Sequence, residues 1–112
     1  MRQLTNINNE PIQSFILLVG DEEAMIQLRF YPTIQAWYFN LEFRGIPING
    51  IKLSLGVLHI NSYNFPFDFI IEDTSGSGID PFKVDDFQVG RINLYMLTAE
   101  EMAAYRGYSV KV

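Results

Sequence analysis

Few side chains in this 112-residue chain have the chemistry of a catalytic or metal-binding group. His59 is the only histidine and cysteine is absent, so the several His or Cys ligands of a catalytic zinc site cannot be supplied. A single histidine within an apolar run is more often a hydrogen-bonded structural residue than a base. Ser62, Ser75 and Ser77 all lie outside the Gly-x-Ser-x-Gly turn of a hydrolase. The sequence therefore predicts no enzyme, no cofactor and no metal site.

Two acidic segments contain groups that could bind an ion. Residues 73–81 combine acidic, hydroxyl and glycine residues, a mixture that in other proteins binds calcium or cradles phosphate. The spacing misses the EF-hand pattern, and Asp73 and Asp80 would repel a phosphate, so we interpret the segment as a mobile surface loop. Asp85-Asp86 is interpreted as hydrated surface charge, because adjacent residues in an extended chain point to opposite faces.

Alternation of apolar and polar residues predicts that most of the chain forms antiparallel strands. The segments 12–19 and 25–31 flank an acidic turn and predict a hairpin. The most regular alternation follows, with one face formed by Trp37, Phe39, Leu41 and Phe43. Asn49-Gly50 suits the positive φ angles of a tight turn. Further strands are predicted over residues 69–72 and 90–96.

The end of the chain has the pattern of a helix. Thr98 and Glu101 have the spacing of a capping box, and Leu97 and Met102 that of a hydrophobic staple. A helix is therefore predicted over about residues 98–106, stopping at Gly107. So short a helix is marginal in isolation and must dock on the sheet or on a partner.

Length predicts a single domain over residues 1–112, and the strand pattern makes it mainly β, an antiparallel β-barrel or β-sandwich with one short C-terminal helix. Residues 1–10 are polar and predict an N-terminal arm, or an edge strand that needs a partner to be ordered. The net charge of −5 disfavours binding to nucleic acid and anionic lipid. No apolar run approaches the roughly 20 residues that span a bilayer, and the lack of cysteine fits a reducing cytoplasm. We expect no membrane insertion.

Aromatic residues outside the apolar faces indicate a contact surface, because tyrosine is enriched at protein interfaces. The predicted interface consists of six aromatic residues, Tyr31, Tyr38, Tyr63, Phe65, Phe67 and Tyr95. The first two and the last fall opposite the apolar faces of their strands. The middle three lie in a segment rich in Asn, Ser and Pro, which we interpret as a loop. An alternative function follows from that loop, a small carbohydrate-binding domain whose aromatic rings stack on sugars.

The order of these segments resembles the baseplate plug proteins of contractile-tailed bacteriophages, of the cyanophage type, over about residues 12–106. The resemblance rests on the segments Ile26–Phe30, Ala36–Leu41 and Gly50–Leu53, a Gly-rich acidic loop, and Gly90–Glu101. Its most specific parts are the Ala-Trp-Tyr-Phe strand and the final strand that runs directly into Leu-Thr-Ala-Glu-Glu.

The resemblance implies a β-rich structural protein without enzymatic activity, located in the virion at the axis of the tail baseplate and assembled in the host cytoplasm. Its implied partners are the tail tube, the baseplate hub or spike, and the tape measure protein, with several copies around the tail axis. It would close the tube until contraction and then let the tape measure protein and DNA pass. A negative charge would keep such a channel from adhering to DNA.

Overall fold

The computed structural model describes the backbone of residues 1–110 and the side chains of residues 1–105, so the last two residues of the predicted 1–112 domain lie outside it. In this part of the chain the elements are β1 Arg2–Gln3, β2 Ile12–Val19, β3 Glu22–Tyr31, β4 Ala36–Phe43, β5 Ile46–Lys52, a 3-10 turn Asn61–Tyr63, β6 Phe67–Asp73, β7 Ile92–Thr98 and α1 Ala99–Val110. Within these residues, no helix is both long and apolar enough to cross a membrane.

The strands form two antiparallel sheets. Strands β2, β3, β4 and β5 pair in chain order, whereas β7 lies between β1 and β6 in a three-stranded sheet. Both sheets contribute to one apolar core. The sheets are not closed into a barrel, so the prediction of a mainly β fold is confirmed in its sandwich form.

The core is built on the alternation that the sequence shows most clearly. The apolar face of β4 is fully buried, as predicted. Its Phe39 ring meets Phe69 at a centroid distance of 5.7 Å, and Phe43 meets Phe67 at 4.9 Å, both edge to face. These contacts join one sheet to the other, and such aromatic pairs contribute roughly 0.5–1.5 kcal/mol beyond the area they bury.

The turn between β4 and β5 is not at Asn49-Gly50, and that prediction is wrong. The chain reverses at Arg44 and Gly45, which both have positive φ angles (54° and 72°), as a two-residue type I′ turn requires. The side chain of Arg44 pairs with Glu22 through bonds of 2.8 and 2.7 Å, which helps hold this non-glycine residue in its unusual conformation. Gly50 lies inside β5, near a shift in strand register.

Helix α1 begins as predicted and ends later. The Thr98 N–H donates to Glu101 Oε1 at 3.0 Å, and the Glu101 N–H donates to Thr98 Oγ1 at 3.3 Å, which completes the capping box. Leu97 and Met102 are both buried, and the helix packs on β6 and β7. The helix continues past Gly107 to Val110. A glycine inside a helix costs only about 1 kcal/mol relative to alanine, so it does not by itself end one.

The polar N-terminal segment is ordered on its own chain. Arg2 and Gln3 pair with β7, the Leu4 N–H donates to the Leu94 carbonyl at 2.9 Å, and Ile7 is buried in the core. Of the two readings predicted for residues 1–10, the structure shows the edge strand, at Arg2 and Gln3, and its partner is β7 of the same chain. Two apolar side chains, Leu4 and Ile7, also tie the segment to the sandwich.

Candidate interaction surface

His59 is a structural residue, as the sequence predicts. Its Nε2 accepts a hydrogen bond of 3.0 Å from the Ser54 N–H, so the ring proton lies on Nδ1, which donates to the Phe69 carbonyl at 2.7 Å. Both ring nitrogens are thus used within the fold. Burial lowers the pKa of His59, because the charged ring is poorly solvated there. The histidine joins the segment after β5 to the edge of β6.

The neighbouring Asp68 is a buried carboxyl that sequence reasoning missed. Its Oδ1 accepts from the Ile60 and Phe69 N–H groups at 2.9 and 2.6 Å, while Oδ2 is buried without a hydrogen bond. Burial raises the pKa of Asp68. A Phe-Asp-Phe alternation places Asp68 on the outer face of β6, which normally meets water. Here the segment before β6 covers that face, and only the tertiary structure reveals this.

The His59 geometry predicts a stability that falls on acidification. Below the ordinary histidine pKa of about 6.5, the unfolded chain takes up a proton that the folded protein resists until a lower pH, so the unfolding free energy decreases between about pH 7.5 and 5.5. His59→Asn should be less stable at neutral pH, by about 1–3 kcal/mol, because buried backbone groups lose a partner.

Urea denaturation at both pH values measures this difference. Wild type should lose more stability on acidification than His59→Asn, because the variant has no imidazole to protonate. An equal loss in the two proteins would contradict a histidine held neutral by the fold.

The acidic loop after β6 is exposed, but it has fixed internal contacts. The carboxylate of Asp73 accepts four hydrogen bonds of 2.6–2.9 Å, from the hydroxyl and N–H of Ser75, the Ser77 hydroxyl and the Gly78 N–H. These bonds, led by that from the Ser75 hydroxyl, hold the pKa of Asp73 well below its usual range. The interpretation as a mobile loop missed this network. Because its carboxylate oxygens accept these bonds from within the loop, Asp73 stabilises the loop conformation.

Asp86 is 1% exposed, so its interpretation as hydrated surface charge is wrong. Its carboxylate receives a two-pronged ion pair from Arg91, with Nε to Oδ1 at 2.9 Å and Nη2 to Oδ2 at 3.0 Å. The Phe82 and Lys83 N–H groups each donate to Oδ2 at 2.8 Å. Burial raises the pKa of Asp86, but the bonds from Arg91 and the two N–H groups outweigh it and hold the pKa below its ordinary value.

Arg91 connects this carboxylate to the acidic loop. Its Nη1 donates to the Ile79 carbonyl at 3.0 Å and its Nη2 to the Asp80 carbonyl at 3.1 Å, while the guanidinium lies 5.2 Å from the centre of the Phe82 ring. Within residues 1–105, no group of three or more His, Asp or Glu side chains is arranged to hold a metal ion. Through the contacts described above, Arg91 and Asp86 hold the acidic loop and the segment before β7 together.

The structure places the four predicted tyrosines in three separate parts of the surface. Tyr31 and Tyr38 lie together on the outer face of the four-stranded sheet, with ring centres 5.3 Å apart, and the Arg29 guanidinium lies 5.2 Å from the Tyr31 ring. Tyr95 lies on the outer face of the other sheet, near Glu72. Tyr63 is exposed on the 3-10 turn. Only Tyr31 and Tyr38 form a common patch.

Phe65 and Phe67 are not surface residues, and their prediction as exposed loop aromatics is wrong. They are 7% and 1% exposed, and Phe67 begins β6. Their rings stack at 5.8 Å and both pack on Phe43, so the apolar core covers them. Of the three aromatic residues in the carbohydrate hypothesis, Tyr63 alone reaches the surface, which leaves no stacking platform in this segment.

An exposed apolar surface on β2 was not anticipated. Ile12, Ile16 and Leu18 are 52%, 62% and 58% exposed, and Met25, directly opposite Ile16 on β3, is 51% exposed. We call these four residues the β2 patch. The sequence indicates this patch because β2 has apolar residues on both faces. In a half-buried strand, apolar and polar residues normally alternate.

Comparison of the sequence with known protein families gives a match to a viral structural family. Residues 1–100 match the family described as cyanophage baseplate Pam3 plug gp18, a range that includes all seven strands of the sandwich and the start of α1. Among curated proteins, none is similar in sequence to this chain. A baseplate plug is a structural component of the virion tail and contacts other structural proteins there. Because the match covers most of its length, the chain belongs to the cyanophage baseplate plug family.

Proposed function

We propose that this chain closes the central channel of the baseplate where the tail tube meets the hub and spike. Several copies surround the tail axis, assembled with the tail in the host cytoplasm, and they give way on contraction so that the tape measure protein and DNA pass. The observation that carries this proposal is the match of residues 1–100 to the plug family. The mechanism is steric, and no bond is made or broken.

The charge of the chain supports this role. A net charge of −5 repels a nucleic acid that moves past the protein and so opposes its retention. The sandwich also suits a plug, because both sheets share one apolar core, and a domain with a single core can be displaced as a folded unit.

Tails assembled with and without this chain test the proposal. Cryo-electron microscopy of wild-type tails should show density on the axis between tube and hub, and tails without the chain should lack that density and lose the tape measure protein. Tails that lack the chain and still retain a closed axis and the tape measure protein would contradict the plug role.

The patch formed by Tyr31 and Tyr38 is the proposed contact with a neighbouring tail protein. Replacing both by alanine should lower incorporation of the chain into baseplates at least about tenfold, because aromatic anchors supply much of the binding energy of an interface. Ile79→Ala is the matched control, since Ile79 is an exposed apolar residue in the acidic loop. Equal incorporation of both variants, with wild-type thermal stability, would exclude the tyrosine patch as the contact.

A further inference from the structure

The outer edge of β2 has free backbone hydrogen-bonding groups. The Pro11 carbonyl accepts from the Phe30 N–H of β3 at 2.7 Å, whereas the Leu18 carbonyl accepts from the Arg2 guanidinium, on the other side of the strand, at 3.4 Å. Because backbone groups in a strand point alternately to its two sides, the even-numbered residues of β2 direct theirs away from β3. In the described part of the chain, β2 pairs only with β3. Ser14 and Ile16 thus offer N–H and C=O groups to another strand.

The other sheet edges within the described residues are shortened or covered. Strand β1 has two residues, β5 contains Pro47 and a register shift, and the Phe69 carbonyl at the edge of β6 is taken by His59. Natural proteins protect edges in these ways or with charged residues. Strand β2 has eight residues, Ile-Gln-Ser-Phe-Ile-Leu-Leu-Val, without a charge or a proline. Arg2 covers this edge at Leu18, and the N-terminal segment lines a cleft beside its second half, but no backbone or side-chain group bonds to the outward N–H and C=O groups of Ser14 and Ile16 in the described residues.

The charges on this sheet favour one orientation of a partner strand. Beside Ile12, the neighbouring strands carry exposed Arg29 and Lys52 in the same row. At the other end of β2, exposed Glu23 lies opposite Leu18. Lys52 is already paired with Asp80 at 3.7 Å, so the contrast between a basic start and an acidic end of β2 rests on Arg29 and Glu23. A second copy that pairs antiparallel through the same strand sets the basic end of each sheet beside the acidic end of the other.

We propose that β2 pairs antiparallel with β2 of a second copy of this chain, so that the two four-stranded sheets become one continuous sheet. The even-numbered residues form the new ladder, and the β2 patches of the two copies become neighbours on one outer face, where their side chains contact each other across the new strand pair. A single strand edge and four apolar side chains per copy make less than the roughly 800 Å² per partner of a standard interface. Self-association therefore depends on protein concentration. The inference concerns the isolated chain and does not depend on the plug role.

Sedimentation equilibrium of the purified chain over a wide concentration range tests this pairing. The average mass of wild type should rise from 12.9 kDa towards twice that value. Ile16→Lys should weaken association at least tenfold, because it places like charges together at the joined edge, whereas the control Ile79→Lys should behave as wild type. Circular dichroism checks that each variant is folded. A wild-type chain that stays monomeric throughout, or an association unchanged by Ile16→Lys, would overturn the proposal.

Hydrogen exchange separates edge pairing from stacking of the two apolar faces. The amides of Ser14 and Ile16 should exchange more slowly as concentration rises, while those of Phe15 and Leu17, already bonded to β3, should be protected at every concentration. Ser14→Pro is a second variant, since it removes an outward N–H at an edge, where proline is tolerated. It should abolish association while the sandwich stays folded. Exchange at Ser14 and Ile16 that does not change with concentration would contradict a strand-to-strand dimer.

Discussion

Replacing Asp86 by alanine is expected to lower the free energy of unfolding by about 3–5 kcal/mol, the usual loss when one partner of a buried ion pair is removed. Arg91, whose side chain is largely buried, would keep its charge without the carboxylate that it grips with two nitrogens. The Phe82 and Lys83 N–H groups would also lose their acceptor. Urea denaturation monitored by Trp37 fluorescence measures the change.

Asp85→Ala is the matched control for this experiment. Asp85 is adjacent in sequence and half-buried, so its replacement should change stability by about 0.5 kcal/mol or less. Arg91→Lys should lie between the control and Asp86→Ala, because lysine keeps the charge but not the planar, two-pronged geometry. Similar losses for Asp85→Ala and Asp86→Ala would show that the effect is a general one of negative charge and not of this ion pair.

Phe67→Ala should destabilise the protein by about 3–5 kcal/mol, because it leaves a cavity between the sheets. The Phe67 ring contacts Phe43, Phe65 and Phe69 at centroid distances of 4.9–5.8 Å. Tyr63→Ala removes an aromatic ring from the same segment, but an exposed one, and should cost about 1 kcal/mol or less. Chemical denaturation of the two variants compares a core ring with a surface ring.

This comparison also bears on binding. Tyr63 stays a candidate contact residue, and its removal should reduce contact with a partner without unfolding the chain. If Phe67→Ala lowered the free energy of unfolding no more than Tyr63→Ala, the assignment of Phe67 to the core would be wrong. Phe67 could then belong to a platform of exposed rings that binds sugars.

The strands that the sequence predicts well are those with a regular period of two. In β4 every second residue is apolar, and the structure buries that face completely. The capping box at Thr98 and Glu101 is equally predictable, because the two residues bond to each other across three positions. The position of the β4–β5 turn was missed, since Asn49-Gly50 has the stronger local preference and strand pairing placed the reversal at Arg44-Gly45.

The predicted contact surface fared less well, because exposure depends on what packs above a residue. Phe65 and Phe67 stand in a polar stretch, yet Phe43, more than twenty residues earlier in the chain, brings them into the core. Asp86 is of a residue type that usually lies at the surface, but its segment packs on the core, where the neighbouring Phe87 contacts Trp37. The indole N–H of Trp37 donates to the Lys83 carbonyl at 3.0 Å across 46 positions of sequence. No local pattern reports such a contact.

By itself, the sequence determined the mainly β class, most of the strands, the start of the helix and the resemblance to a baseplate plug. These follow from side-chain alternation and from bonds between residues a few positions apart. The tertiary structure alone decided that the sheets form an open sandwich, that Asp68 and Asp86 are buried, and that the β2 patch faces outward. Each of these outcomes depends on contacts between residues that are far apart in the chain. A local pattern of residue types does not show which distant residues come into contact.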